Sequence, residues 1–265
     1  MNLKLQHLRG LLIDLDGVLW VGDHALAGVA AFFSFLDAHQ IRFVLVSNNA
    51  TRRAEYPVVR LGEMGIVISS QQVLTSADAA PRWLRHSLPS VKKVFVIGER
   101  ALRDALHEAQ FEMVEQDADA VIVGLDRQLT YEKLKRATLE IRRGAKFIAT
   151  NTDRTLPTEQ GLTPGTGSLV AALVAATDVE PIIIGKPGRP MFDLALEMTG
   201  TAPQETAMLG DRLDTDIDGG AAAGLKTIMV LTGVSTRAEA EQNGVKPDLL
   251  VEDLPTLIQI WADSY

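Results

Sequence analysis

The chain has 265 residues, with 34 acidic against 26 basic side chains and a formal net charge of −8. That balance argues against a nucleic-acid binder held by phosphate neutralisation, which needs a basic face. With 46% hydrophobic residues and no cysteine, the composition is that of a folded chain without disulfides, thiolate metal sites or a cysteine nucleophile.

The length suits one large domain or two modest ones. No uncharged apolar run approaches the ~20 residues needed to span a bilayer. Asp14 and Asp16 interrupt the most apolar part of the N-terminus, so it does not read as a secretory signal. The expectation is a cytoplasmic protein with no membrane partner, the missing cysteines fitting a reducing compartment.

In chain order, Leu11–Ile13 reads as a strand ending at Asp14, and Val29–Gln40 as a helix. Phe43–Val46 is a second strand, ending at Ser47, and Arg53–Met64 a second helix. A separate α/β rhythm follows, with strands at Val94–Ile97, Val121–Val123 and Phe147–Ala149 and helices at Ala101–Ala109 and Tyr131–Arg142. Ile182–Ile184 then ends at Gly185-Lys186, before a helix at Pro190–Met198. Ala207–Leu209 ends at Gly210-Asp211, before a helix at Thr215–Ala223, and Thr227–Leu231 and Leu249–Val251 close the series. Continuous apolar strands alternating with helices indicate a parallel sheet covered on both faces. The fold class expected is α/β, with a doubly wound Rossmann-like core split into 1–76 and 182–265 by an inserted α/β domain at 77–181.

Four of these strands finish at a polar residue suited to phosphate chemistry: Asp14, Ser47, Lys186 and Asp211. A parallel sheet that carried all four would put them along one edge, where such sheets bind ligands. Asp14-Leu15-Asp16-Gly17 offers two carboxylates at i and i+2 and a glycine for a sharp turn. Alone it favours a polar β-turn. Ser47-Asn48-Asn49-Ala50-Thr51 offers a hydroxyl and backbone amides that can cradle an anion, although a helix cap uses the same residues. Lys186, directly after three isoleucines and Gly185, is less typical of a solvated surface lysine. Within the acid-rich segment Gly210 to Gly219, Asp214 to Gly219 imitates the start of a calcium loop. Leu225 stands where that loop needs its terminal Glu, so the reading fails. Gly165-Thr166-Gly167 starts a dinucleotide fingerprint that Val170 breaks.

In combination these motifs resemble the haloacid dehalogenase-like phosphatases, in the family's order: Asp14-x-Asp16-Gly17-Val18, Ser47-Asn48-Asn49, Gly185-Lys186-Pro187, and Gly210-Asp211-Arg212 with Thr215-Asp216. The Ser-Asn-Asn-Ala-Thr stretch, Gly-Lys-Pro and the large insertion between them are similar to class IIA, the NagD-like or 4-nitrophenylphosphatase group. Pro164–Leu169, Gly124-Leu125-Asp126 and Tyr131–Leu134 in the insertion extend the likeness over essentially the whole chain.

The resemblance implies a Rossmann-like core with a cap domain and Mg²⁺-dependent hydrolysis of small-molecule phosphate monoesters. Asp14 would be the nucleophile and form an aspartyl phosphate. Asp16 would protonate the leaving oxygen and then deprotonate water. Ser47, Asn48 and Asn49 would hold phosphoryl oxygens, with Lys186 offsetting charge. Mg²⁺ would sit on Asp14, the main-chain carbonyl of Asp16, and Asp211, with Asp216 orienting its water shell. In the cap, Asp126, Asn151 and Asp153 could reach a substrate hydroxyl. Thr152 departs from the Asn-Pro-Asp that relatives often show there, and ordinary loop roles fit these three equally well. The cap could also offer a homodimer surface. The substrate is open among sugar phosphates, glycerol phosphate, phosphoglycolate, nucleoside monophosphates, pyridoxal phosphate and 4-nitrophenyl phosphate. Two other readings remain at this point: a phosphomutase of the same superfamily, and a phospho-accepting module resembling a response-regulator receiver.

Overall fold

The computed structural model describes residues 3–158 and 160–265. The parallel-sheet strands, in chain order, are β1 (Gly10–Ile13), β2 (Arg42–Ser47), β3 (Val73–Thr75), β4 (Lys93–Ile97), β5 (Glu112–Met113), β6 (Ala120–Val123), β7 (Lys146–Ala149), β8 (Ile182–Ile183), β9 (Thr206–Gly210), β10 (Lys226–Val230) and β11 (Leu249–Val251). The chain divides into two compact units: residues 1–47, 54–74 and 192–265 form one, and residues 48–53 and 75–191 the other.

The first unit is built on a six-stranded sheet in the order β11-β10-β9-β1-β2-β3. β1 pairs parallel with β9 on one side, Ile13 opposite Leu209, and with β2 on the other, Ile13 opposite Leu45. Side chains alternate between the two faces of a strand. Leu11, Ile13, Leu45, Leu209, Ile228 and Val230 accordingly share one buried cluster with Phe32 and Leu36 of helix Val29–Ala38 and with Leu257 and Trp261 of helix Leu254–Ala262. Met229, between Ile228 and Val230, belongs to a separate cluster with Leu213, Ile217 and Ala240. Both faces are therefore covered, which is why the strands read as continuous apolar runs rather than alternating ones.

The second unit holds a five-stranded sheet in the order β8-β7-β6-β4-β5. Phe95, Ile97, Val121, Val123, Phe147 and Ala149 pack with Ala137 and Ile141 of helix Tyr131–Arg142 and with Leu169, Val170 and Leu173 of helix Thr166–Thr177. The latter helix escapes sequence reading because it is apolar nearly all round. Helix Ser76–Ser87 does so because Pro81 lies inside it.

Two expectations are corrected. Ile182–Ile183 does not join the first sheet; it pairs parallel with β7, Ile182 opposite Ile148, at the edge of the second. A short apolar run records that a strand is buried but not which strand it will bond to. The helix expected at Thr215–Ala223 begins instead as a wide π-helical turn over Leu213–Ile217, and only Asp218–Ala222 is α-helical. Such wide turns are frequent at functional sites, and this one contains Asp216.

Helix Leu254–Ala262 begins at Asp253, whose Oδ1 accepts the Thr256 amide at 2.9 Å and its hydroxyl at 2.6 Å. These bonds hold the Asp253 carboxyl below the ordinary aspartate range. Asp253→Ala should cost about 1 kcal/mol at neutral pH, as loss of an N-cap does. A depressed folded-state pKa stabilises above the unfolded value of about 3.9 and stops doing so as pH falls through the folded one. Urea melts of wild type and variant should therefore differ at pH 7 and converge progressively below about pH 4.

Candidate active site

The order of the first sheet makes β1 the point at which the chain reverses direction across it. β2 and β3 follow on one side, and β9 to β11 return on the other. Ligands bind open α/β sheets at such a point, beyond the carboxyl ends of the strands. Asp14 directly follows β1, and its amide donates to Leu209 O of β9 at 2.9 Å. Asp211 directly follows β9, and Ser47 is the last residue of β2. All three are buried: Asp14 is 8% exposed, Ser47 4% and Asp211 0%.

Carboxylate oxygens of Asp14, Asp211 and Asp216 lie within 4.8 Å of one another, a group that could hold a metal ion. The donor set is all oxygen and anionic, as a hard divalent cation prefers. Three buried like charges at that spacing also gain from a cation among them. The site therefore fits the metal implied by the sequence, and the structure adds Asp216 to the group as a neighbour. Asp216 also braces the backbone around it. Its Oδ2 accepts the amides of Asp211 at 3.2 Å and Arg212 at 3.1 Å. That pair of bonds draws residue 216 back over the end of β9, and the amides of Asp216 and Ile217 both reach Arg212 O, at 3.1 and 3.2 Å. The wide turn follows from this.

Asp211 is held by residues that the motifs did not identify. Its Oδ2 accepts the Val234 amide at 2.6 Å, and the Ser235 amide reaches its carbonyl at 3.1 Å. A Cβ on Gly233 would lie 1.9 Å from Asp211 Oδ2, and one on Gly17 would lie 2.4 Å from it. Gly17 also has φ +87, in the left-handed region that favours glycine. The Thr232 hydroxyl closes the arrangement by donating to Gly17 O at 2.6 Å. The segment Thr232–Ser235 follows β10, so the strand-end criterion that found the other residues could have found it too.

Asp16 is exposed, and its Oδ1 accepts the Trp20 indole N–H at 2.9 Å. Trp20, 1% exposed, is a further residue the motifs did not single out.

The remaining expected residues belong to the second unit. Lys186 is 2% exposed, and its peptide bond to Pro187 is cis. The Asn48 side chain donates to Lys186 O at 2.8 Å and approaches Asp153 Oδ2 at 3.4 Å. The carbonyl of Asn48 accepts the Asn151 side chain and the Ser76 hydroxyl, each at 2.7 Å. Asn48 therefore ties the Gly-Lys-Pro loop to the segment after β7, with Asn151 and Asp153 engaged in that tie. Asn49 Oδ1 accepts the amide and hydroxyl of Thr51, at 2.9 and 2.8 Å, in an Asx turn. Asp126 is buried, paired with Lys133 Nζ at 2.7 Å, and accepts the Gln128 amide at 2.9 Å.

A doubly wound sheet with buried carboxylates after β1 and β9 and a hydroxyl ending β2 fits the fold expected from the resemblance to the haloacid dehalogenase-like phosphatases. Residues 11–112 match the family model for haloacid dehalogenase-like hydrolases, and residues 183–257 match a second, HAD-hydrolase-like model. The chain is 39% identical to an acid sugar phosphatase of Staphylococcus saprophyticus, over 96% of this chain and 98% of the relative. The 4-nitrophenylphosphatase of Thermotoga maritima superposes with TM-score 0.91 at 32% identity, covering 97% of this chain and 99% of that one. NagD of E. coli superposes with TM-score 0.86 at 31% identity, covering 93% and 97%. The chain belongs to the haloacid dehalogenase-like hydrolases and is an enzyme of their NagD-like phosphatase group.

Proposed function

We propose that the protein hydrolyses small phosphate monoesters through a phosphoryl group carried on Asp14, with Mg²⁺ as its cofactor. The observation that supports this most is the trio Asp14, Asp211 and Asp216, buried with oxygens within 4.8 Å of one another at the switch point of the first sheet. Asp14, Asp211 and the main-chain carbonyl of Asp16 would hold Mg²⁺. When bound, the ion offsets the charge of an anionic ester approaching an anionic nucleophile. Magnesium needs only one or two carboxylates beside water and phosphate oxygens, which leaves Asp216 to brace the loop.

In the first step an oxygen of Asp14 forms a bond to phosphorus. The bond from phosphorus to the ester oxygen breaks, and that oxygen leaves with the proton of Asp16. In the second step a water oxygen bonds to phosphorus and its proton passes to the Asp16 carboxylate. The bond from phosphorus to Asp14 breaks, which releases phosphate and restores both side chains. The Ser47 hydroxyl and the Asn48 amide are assigned to phosphoryl oxygens. Lys186 is assigned to charge compensation, on the order of the motifs in the chain. The first unit is proposed as the catalytic core, and residues 77–181 of the second as the cap that selects the organic part of the substrate. A carboxylate two residues after the nucleophile suits hydrolysis of the intermediate, which favours a phosphatase over a long-lived phospho-acceptor. The cysteine-free chain suits a cytoplasmic location.

Phosphate release from a panel of phosphate esters, with Mg²⁺ and with EDTA, tests the reading. Sugar phosphates come first, since a relative at 39% identity is named an acid sugar phosphatase. The expected result is Mg²⁺-dependent release that EDTA abolishes and added Mg²⁺ restores. No release from any member, or release unchanged by EDTA, would overturn it.

A further inference from the structure

We propose that Trp20 is a positioning residue for Asp16, and that Arg60 clamps Trp20 in place. The proposal rests on the reading of Asp16 as the group that protonates the leaving oxygen. Asp16 is an exposed carboxylate on a short side chain in a tight turn. Trp20 is almost fully buried, yet its one polar side-chain atom points out of the core and donates to Asp16 Oδ1 at 2.9 Å. A buried indole N–H finds a partner as a rule. This partner is the carboxylate assigned to proton transfer, and the bond holds its orientation.

The indole is held from three directions. Its backbone is tied to the Asp16–Gly17 turn, because the Gly17 amide donates to Trp20 O at 2.7 Å. Trp20–Val21 forms a small antiparallel hairpin with His24–Ala25, Trp20 opposite Ala25 and Val21 opposite His24. From helix Glu55–Glu63 comes Arg60, whose guanidinium sits 4.3 Å from the centre of the indole ring. The same guanidinium donates to Gly22 O at the hairpin tip, at 2.5 Å, and to the Tyr56 hydroxyl at 3.3 Å. A cation over the ring face is attracted to it, while the bond to Gly22 fixes the hairpin that carries the ring. An exposed carboxylate is thus referenced to the buried core and to a helix well separated from it in sequence.

The test uses the leaving group. An alkoxide, as from glycerol phosphate or a hexose phosphate, must be protonated as it departs. 4-Nitrophenolate departs as the anion. kcat/KM reports steps up to the first irreversible one and so isolates ester cleavage from hydrolysis of the phosphoenzyme. Trp20→Phe keeps an aromatic ring and removes the donor. It should lower kcat/KM about 10- to 100-fold for the alkyl esters and under about 3-fold for 4-nitrophenyl phosphate, a share of the ~10²–10⁴ that a general acid contributes. Arg60→Gln, which keeps the indole but releases its clamp, should show the same selectivity at about 3- to 10-fold. In an Asp16→Asn background neither change should alter the ratio of the two substrates further. Equal losses on both substrates, or an undiminished effect in the Asp16→Asn background, would overturn the proposal. If Trp20→Phe does not fold by circular dichroism, the Arg60→Gln ratio decides it. Failure of the underlying reading is distinguishable: Asp16→Asn alone would then show no dependence on the leaving group.

Discussion

Asp14→Asn should abolish turnover of every phosphate ester, by about 10⁴-fold or more, while leaving the fold intact. The amide is nearly isosteric with the carboxylate but is neutral and too weakly nucleophilic to attack phosphorus, and loss of a covalent nucleophile is among the largest single effects in enzymes. The position separates this loss from a structural collapse. Asp14 lies beyond the last residue of β1, its backbone amide still donates to Leu209 O, and Leu11 and Ile13 pack in a cluster that does not include it. Phosphate release under saturating Mg²⁺ measures the loss, and an unchanged thermal melt confirms that the protein is folded. Intact mass spectrometry after rapid acid quench adds a direct readout: wild type should show a fraction of chains heavier by one phosphoryl group during turnover, and the variant none. Wild-type turnover by Asp14→Asn would show that another group attacks phosphorus.

Gly233→Ala should also be strongly damaging, although residue 233 carries no chemistry. A Cβ there would lie 1.9 Å from Asp211 Oδ2 and 2.4 Å from its Cγ, so the carboxylate or the 232–235 loop must move. Either movement breaks the 2.6 Å bond from the Val234 amide to Asp211. Displacement of a catalytic group by about 1 Å can cost ~10²-fold. The expected result is a fall in kcat/KM of about that size with a raised Mg²⁺ requirement, read from activity as a function of Mg²⁺ concentration. Gly244→Ala, where an added Cβ meets nothing within 4 Å, controls for a generic effect of a lost glycine. Full activity in Gly233→Ala would mean that the Asp211 carboxylate does not need this support.

The amino-acid sequence by itself determined which polar residues stand at strand ends. Asp14, Ser47 and Asp211 were legible because each stops an apolar run, and an apolar run buried on both faces is a signal carried by neighbouring residues. The division of labour around them was not legible. Trp20 reads as one more core aromatic until the hairpin and Arg60 show that its N–H faces Asp16. Gly233 and Val234 read as an ordinary turn until β9 and β10 come side by side and bring them onto Asp211. Asn151 and Asp153 had the composition of substrate contacts, and nothing in that composition announced their bonds with Asn48, far earlier in the chain. The placement of Ile182–Ile183 shows the limit most plainly. Its hydrophobicity is local and announces a buried strand, whereas its sheet is chosen by pairing with Ile148 and Ala149, contacts between residues that no periodicity links. Tertiary structure decided what depends on such long-range pairing, because a backbone donor or a side-chain oxygen has no sequence signature of the distant group it will meet.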